Sequence, residues 1–173
     1  MTEIELEKTF LAKYLPKDLK RFSFKEIKDI YIPKKSHHPV LRVRKNGDVF
    51  QMTKKEPVQG QDSSEQFEHT IKLTKDEYNS LAKLDGKASR KIRYYYKLAG
   101  KTIEIGVFKD ALAGLVLIDV EFENKKDMEA FGMPDFCLAD VTQEEIFAGG
   151  MLAGKKYKDI EKALNKYNYT KIK

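Results

Sequence analysis

The sequence predicts an α+β fold in which an eight-stranded antiparallel sheet closes into a tunnel, with helices packed outside and charged side chains inside. The first observation is that nearly every strand-like segment alternates an apolar face with a face that carries charge. The second is that the helical segments need apolar sheet surface to cover. If the helices lie on the apolar faces, the charged faces of a closed sheet point toward one another. The 173 residues suit one domain, spanning residues 1–173.

Composition narrows the class of protein. The formal net charge of +6 allows a polyanionic partner, but lysines are spread along the whole chain without a long block, so nucleic acid is not the expected partner. The single Cys137 excludes an internal disulfide and fits a reducing compartment. No apolar run approaches the ~20 residues of a membrane span, and the charged N-terminus is unlike a secretory signal. We expect a cytoplasmic monomer or homodimer without a membrane partner.

The first predicted strand is Glu3–Phe10, in which Glu3, Glu5 and Glu7 share one face. Carboxylates at this spacing repel one another, which is costly in a cleft unless a cation lies between them. On an exposed sheet the same face is harmless. The following segment, Leu11–Phe22, is expected to be a short helical region interrupted by a proline.

The second predicted strand is Phe24–Pro33, where Asp29 and Tyr31 share a face. The loop after it contains the neighbouring histidines His37 and His38. Because adjacent side chains of an extended segment point apart, we expect a solvated loop here and not a metal site.

The clearest hairpin follows this loop. Arg42 and Arg44 share one face of its first strand, and the Asn46-Gly47 turn leads to a return strand that carries Lys55. Asn-Gly between two alternating segments is a strong signal for a two-residue hairpin turn. Two arginines at this spacing present forked donors that suit phosphate or carboxylate groups.

The rest of the chain continues the alternation between strands and helices. The remaining predicted strands are Glu65–Leu73, Ala88–Leu98 and the two strands within Lys101–Glu123, joined by Lys109–Gly114. Their charged faces carry Lys91 and Arg93, then Glu104, then Asp119, Glu121 and Glu123. Helices are expected after the capping boxes at Thr74 and Thr142, over Asn124–Met133, and over Lys155–Tyr169.

This distribution of charge favours a metal and phosphate site. Acidic side chains come from the first and last strands, which are neighbours in a closed barrel, and basic side chains come mainly from the middle. Opposed walls of desolvated charge are expensive without a ligand. A divalent metal on the carboxylates and a polyphosphate on the basic side chains would remove both costs. The alternative is a β-rich domain whose charged faces are exposed to water, and alternation alone does not separate the two.

Taken together, these segments resemble the CYTH superfamily, also called triphosphate tunnel metalloenzymes. The resemblance covers nearly the whole chain and rests on the order and spacing of ELEKTFL, the LRVR hairpin with MTKK, KIRYYY, IEIGVF, LVLIDVEFE and DVTQEEIFAGGMLA. It implies an eight-stranded antiparallel tunnel that binds a triphosphate-containing small molecule and a divalent metal, Mg²⁺ or Mn²⁺. Members of the superfamily include inorganic triphosphatases, thiamine triphosphatases, class IV adenylate cyclases and RNA triphosphatases.

The family signature on the first strand is ExExK, and this chain departs from it. Glu5 and Glu7 match the two carboxylates, while Thr9 stands where the lysine belongs. Lys8 lies next to that position but has the wrong parity unless a bulge turns it inward. Gly106 replaces an acidic residue often found in the family at that position.

The resemblance also implies roles for individual residues. Expected metal ligands are Glu5, Glu7 and Glu121, with Asp119, Glu123 and Glu104 as further candidates. The expected substrate-binding set is Arg42, Arg44, Lys55, Lys91, Arg93 and Lys8. Glu5, Glu7, Tyr31 and Lys55 are the expected catalytic residues.

Three functions stay open at this point. The first is metal-dependent hydrolysis of a triphosphate, which needs little more than charge neutralisation, cations that position oxygens, and an oriented water. The second is an adenylate cyclase that makes cyclic AMP and pyrophosphate from ATP, although no adenine pocket is identifiable in the sequence. The third is a binder of polyphosphate without catalysis, which the departures at Thr9 and Gly106 favour.

Overall fold

The structure, a computed structural model, describes residues 2–58, 60 and 62–173, with side chains from residue 4 onward. Its strands are β1 (Thr2–Ala12), β2 (Phe24–Ile32), β3 (Leu41–Asn46), β4 (Val49–Pro57), β5 (Glu65–Leu73), β6 (Lys87–Leu98), β7 (Lys101–Phe108), β8 (Val116–Phe122) and β9 (Cys137–Asp140). Neighbouring strands follow the order β5-β4-β3-β2-β6-β7-β8-β1-β9, and β1 also pairs with β5. The predicted closed eight-stranded antiparallel barrel is confirmed.

The long first strand closes the barrel. Thr2–Leu6 pair with β5, and Leu6–Leu11 pair with β8 on the other side of β1. The end of β1 additionally pairs with β9, a strand that the sequence reasoning missed. Because β5 stands at the far end of the strand order, its pairing with β1 closes the sheet on itself.

The register of the strands gathers the charged side chains on one face. Glu7 lies opposite Glu121 between β1 and β8, and Asp29 lies opposite Arg44 between β2 and β3. Side chains alternate along each strand, so residues two positions away share that same face.

Helices cover part of the opposite, apolar face. Ile103, Ile118 and Val120 are fully buried in a cluster that includes Met128 of α2 (Lys125–Ala130). A second cluster does not lie on that face: it buries Ile160 and Leu164 of α4 (Tyr157–Asn165) with the β7–β8 connection and with Leu117, which shares the parity of Asp119. Burial of such surface contributes roughly 25 cal/mol per Å². None of the helices in the described part of the chain has the length and apolar character that crossing a membrane requires.

The helices predicted from Thr74 to about Leu84 and over Asn124–Met133 are confirmed with shorter bounds, and their caps are those predicted. The Thr74 capping box opens α1 (Lys75–Leu81), with both of its reciprocal hydrogen bonds present. The Asn124 side chain caps α2 by accepting a hydrogen bond from the Asp127 backbone N–H. The predicted C-terminal helix is also present, as α4.

The helix predicted after Thr142 is wrong. Thr142 Oγ1 accepts a hydrogen bond of 3.0 Å from the Thr9 backbone N–H and donates one of 2.6 Å to Asp140. This hydroxyl is therefore hydrogen-bonded to the barrel wall and does not cap a helix. A 3-10 turn at Glu145–Phe147 and the short helix α3 (Gly149–Leu152) stand in place of the predicted helix. The helical region expected over residues 11–22 is likewise reduced to a 3-10 turn at Leu19–Arg21.

Candidate functional site

A cavity of about 360 Å³ lies within the barrel. Its lining takes side chains from all eight strands of the ring. The charged residues around it are Glu5, Glu7, Asp29, Arg42, Arg44, Lys55, Glu68, Lys91, Arg93, Asp119, Glu121, Glu144 and Glu145. Tyr31 and Thr9 line the same space. The cavity therefore brings residues from distant parts of the chain into one charged site.

Three of the predicted metal ligands form an acidic cluster. Carboxylate oxygens of Glu5, Glu7 and Glu121 lie within 4.8 Å of one another. Burial, together with the nearby charges of Asp119 and Glu5, raises the pKa of Glu7 to about 8, against the opposing effect of Lys55. Burial and neighbouring carboxylates also raise the pKa of Glu121. The cluster thus holds negative charge that its own surroundings leave poorly compensated.

This donor set fits a divalent cation. Carboxylate oxygens are the ligands that hard divalent cations prefer. A cation between the three carboxylates would offset the burial and the carboxylate repulsion that raise the pKa of Glu7. Without such a cation, the cluster favours protonation of one of its members.

Lys55 faces the acidic cluster from β4. Its Nζ forms ion pairs with Glu5 and with Glu68, the latter at 3.3 Å. Burial alone would lower the pKa of Lys55, but Glu7 and Glu5 outweigh it and raise the pKa above its usual value. Lys55 is therefore a firmly charged ammonium beside the acidic cluster.

Arg44 and Asp29 form a buried bidentate ion pair. Arg44 Nε and Nη2 donate to the two Asp29 carboxylate oxygens over 2.6 and 2.8 Å. Burial alone would raise the pKa of Asp29, but the guanidinium outweighs it and holds that pKa well below its usual range. Asp29 was placed on the charged face by the sequence, but nothing in the sequence identified it as a partner of Arg44.

Asp119 lies at the centre of a second network. Its carboxylate accepts a hydrogen bond of 3.0 Å from Thr9 Oγ1 and lies 3.8 Å from Lys91 Nζ and 3.6 Å from Arg93 Nη2. Arg93 also pairs with Glu104. Burial, with the nearby charge of Arg93, lowers the pKa of Lys91 to about 8. These contacts hold Asp119 and Glu104 against basic side chains and outside the three-carboxylate cluster.

Gly106 makes room for Lys91. A methyl group on the Gly106 Cα would stand 3.1 Å from Lys91 Cδ and 3.5 Å from Lys91 Nζ. An acidic side chain here would compete for the space that the Lys91 side chain occupies, so the departure from the family pattern accommodates the lysine.

Besides Glu104, which pairs with Arg93 and does not line the cavity, two predicted site residues lie away from it. Lys8 has the opposite parity to Glu7 and Thr9 and borders a separate depression with Ser64 and Met128. Its pairing with Val120 continues the regular ladder, so no bulge turns it inward. Glu123 is exposed just beyond the end of β8. The structure does not bring either residue to the other site residues.

A segment that we call the mouth segment, residues 141–154, crosses one end of the barrel. It is anchored by hydrogen bonds of 2.9 Å from the Val141 N–H to the Thr9 carbonyl and from the Gly154 N–H to the Ala88 carbonyl. These anchors lie on β1 and β6. Residues along the segment line the cavity, so it covers this mouth.

The mouth segment also meets the loop that was expected to be solvated. His38 Nδ1 lies 2.9 Å from Glu145 Oε1, and both side chains border the cavity. Gly149 and Gly150 allow close approach, because methyl groups there would overlap the Tyr31 hydroxyl and the Pro39 carbonyl. The sequence carried no signal for this contact, since the two loops are about 100 residues apart.

Comparison with known proteins places the chain in a family. The family model described as "CYTH domain" matches residues 1–133. The chain is 29% identical over 150 residues to a protein of Nitrosomonas europaea named inorganic triphosphatase, covering 86% of this chain and 96% of that protein.

Solved structures share its fold. A crystal structure of an inorganic triphosphatase superposes with a TM-score of 0.63 at 24% identity, covering 87% of this chain and 95% of the other. A Bacillus halodurans protein, solved as a candidate adenylate cyclase, superposes with a TM-score of 0.56 at 15% identity, covering 93% and 97%. With a family match over more than half of its length, the chain belongs to the CYTH domain family.

Proposed function

We propose that the protein hydrolyses a triphosphate-containing substrate, in the first place inorganic tripolyphosphate, with Mg²⁺ or Mn²⁺ as its metal. The observation that carries this proposal is the cluster of Glu5, Glu7 and Glu121 in the same cavity as a set of basic side chains. The similarity to the Nitrosomonas europaea protein named inorganic triphosphatase supports the same activity.

The metal would be held by the three clustered carboxylates. Their oxygens lie within 4.8 Å of one another, and an oxygen-only donor set suits Mg²⁺ or Mn²⁺. When bound, the cation supplies neutralisation of charge on the phosphate oxygens. Asp119 is committed to Thr9, Lys91 and Arg93 and therefore orients the basic side chains instead.

The basic side chains would bind and orient the phosphate chain. Arg42, Lys91 and Arg93 reach the cavity from β3 and β6, so they approach a substrate from one wall. Fixed cationic donors hold phosphate groups in line for displacement. The Tyr31 hydroxyl accepts a hydrogen bond from Arg42 over 3.3 Å and keeps its own proton to donate to a phosphate oxygen.

The dimensions of the cavity favour a compact substrate. Its volume of about 360 Å³ lies at the lower end of the range for ligand pockets, roughly 300–1,000 Å³. The mouth segment covers one end and restricts water there. Both features favour an unsubstituted phosphate chain over a nucleotide.

Phosphate release tests the proposal. The purified protein is incubated with tripolyphosphate, ATP or thiamine triphosphate, each with Mg²⁺ or Mn²⁺. We expect tripolyphosphate to be hydrolysed fastest. Cyclic AMP and pyrophosphate from ATP would establish a cyclase instead. Tight binding of tripolyphosphate without turnover under either metal would establish a binder.

We also propose that the protein works in the cytoplasm. Cys137 is a buried free thiol, and burial raises its pKa to about 12. A thiol of this kind is protonated and inert at neutral pH, which suits a reducing compartment.

A further inference from the structure

The two arginines of β3 differ in their partners on β2. The antiparallel register places Asp29 opposite Arg44 and Tyr31 opposite Arg42. The sequence pattern treats both arginines alike, since they share one face of the strand. Their partners, one anionic and one neutral, make them chemically different.

The positive charge of Arg44 is already neutralised by Asp29 within the protein. Its two hydrogen bonds to Asp29 are short and charge-assisted, and the Arg44 and Asp29 side chains are only 6% and 5% exposed. Separating such a pair leaves an uncompensated buried charge. An incoming anion would therefore have to compete with a fixed carboxylate for Arg44.

Arg42 keeps its charge available. Its Nη1 donates to the neutral Tyr31 hydroxyl over 3.3 Å, and its Nε is buried without a hydrogen-bond partner. Within the described part of the chain Arg42 forms no ion pair, and its side chain lines the cavity. An unmet donor on a guanidinium that borders the cavity is a feature that an anion would satisfy.

We propose that Asp29 is a positioning residue that neutralises Arg44, so that Arg42 is the β3 arginine whose charge binds the substrate phosphate. This inference rests on the proposed function and deepens it. The Arg44–Asp29 pair then acts as a fixed neutral unit that shapes the wall beside Arg42. From β3 the protein therefore offers one net positive charge to the substrate, where the sequence suggests two.

Binding of a non-hydrolysable probe tests the inference without turnover. The probe is the imido analogue of tripolyphosphate with Mg²⁺, measured by titration calorimetry. We expect Arg42→Gln to weaken binding about 100-fold, the order expected for loss of a desolvated charge contact. Arg44→Gln also weakens binding, because it leaves the Asp29 carboxylate facing the anion.

The decisive comparison is the double variant Asp29→Asn with Arg44→Gln. Removing both charges restores a neutral wall, so the double variant is expected to bind at least tenfold more tightly than Arg44→Gln alone. A double variant that binds as weakly as Arg44→Gln would overturn the inference. If Asp29 had only a structural role, substituting it as well would not restore the binding that Arg44→Gln weakens.

Chemical modification of the unaltered protein gives an answer even if these variants do not fold. Phenylglyoxal treatment is followed by peptide mass spectrometry, with and without the probe. We expect the probe to protect Arg42 from modification, and Arg44 to stay unmodified in both samples. Probe-dependent protection of Arg44, or failure of the protein to bind the probe, overturns the inference. Binding of the probe without hydrolysis of tripolyphosphate contradicts only the proposed activity.

Discussion

Thr9 Oγ1 donates a hydrogen bond of 3.0 Å to Asp119 Oδ1, directly across the β1–β8 ladder. The other Asp119 oxygen lies 3.8 Å from Lys91 and 3.6 Å from Arg93. The CYTH signature has a lysine at the position of Thr9. In this chain the hydroxyl orients a carboxylate, which in turn holds two basic side chains of the cavity.

Removing that hydroxyl tests its role. We expect Thr9→Val to lower the free energy of unfolding by about 1 kcal/mol, the usual net value of one hydrogen bond. It should also raise the KM for tripolyphosphate, because Asp119 no longer holds Lys91 and Arg93 in place. Thr9→Ser keeps the hydroxyl and serves as the matched control. Equal KM values for the two variants would show that the hydrogen bond has no part in binding.

Glu7 is the proposed metal ligand whose substitution should lower activity without lowering stability. We expect Glu7→Gln to lower the rate of tripolyphosphate hydrolysis by at least about 100-fold, since even outer partners of a metal site contribute 10–100-fold. The variant should stay folded, because burial, Asp119 and Glu5 already disfavour the Glu7 carboxylate and raise its pKa to about 8. Urea denaturation and phosphate release measure the two quantities.

Glu123→Gln is the matched control for that substitution. Glu123 shares the sequence parity of Glu121 but lies beyond the end of β8 and does not line the cavity. We expect its rate to stay within about twofold of the unaltered protein, as for surface substitutions away from a site. Full activity of Glu7→Gln, or an equal loss in both variants, contradicts the assignment of the metal cluster.

The barrel was predictable because it depends on local patterns. Alternation predicted the strands, and the Asn46-Gly47 pair marked the hairpin that connects β3 to β4. The turn lies one residue further along than predicted: Gly47 and Asp48 form it, and Asn46 pairs with Val49. Closure of the sheet was predicted because helices need apolar sheet surface to cover, which leaves the charged faces pointing toward one another. The pairing of β1 with β5 joins segments about 60 residues apart, and alternation could place both strands without stating their register.

The pKa of Lys91 predicts a pH dependence of stability. The folded protein lowers this pKa from 10.5 to about 8, so between these values the unfolded chain binds more protons than the folded one. The Lys91 contribution to the free energy of unfolding therefore rises as pH increases from about 8 to 10.5. Below pH 8 the buried ammonium is a cost.

A neutral variant isolates this contribution. Lys91→Gln should be more stable than the unaltered protein at pH 7, when no ligand is bound, and this advantage should shrink as pH rises toward 10.5. Urea denaturation at pH 7.5, 9 and 10 measures the difference, in which other titrating groups largely cancel. A difference that is constant with pH would contradict the lowered pKa.

The mouth segment depends on two adjacent glycines. A methyl group at Gly150 would overlap the Pro39 carbonyl, which belongs to backbone and cannot rotate away. We expect Gly150→Ala to cost about 1–3 kcal/mol of stability and to expose residues 141–154 to limited proteolysis. Gly132→Ala is the control, because nothing lies within 4 Å of a methyl group there. Equal cleavage of the two variants would contradict the close packing of this segment.

The features that the sequence left hidden are those made by non-local partners. The Thr142 capping box failed because the Thr9 backbone N–H, 133 residues away, uses the Thr142 hydroxyl. His38 was expected to lie in a solvated loop, and its contact with Glu145 was not foreseen because Glu145 lies in another loop. Likewise, the sequence placed Arg44 in the cavity wall but gave no sign that Asp29 neutralises its charge.

The central claim is tested most directly by phosphorus NMR of tripolyphosphate incubated with the purified protein and Mg²⁺ or Mn²⁺. We expect the tripolyphosphate signals to disappear while orthophosphate and pyrophosphate appear in equal amounts, and we expect chelation of the metal to stop the conversion. Unchanged tripolyphosphate under both metals, with pyrophosphate and cyclic AMP formed from ATP, would contradict the central claim.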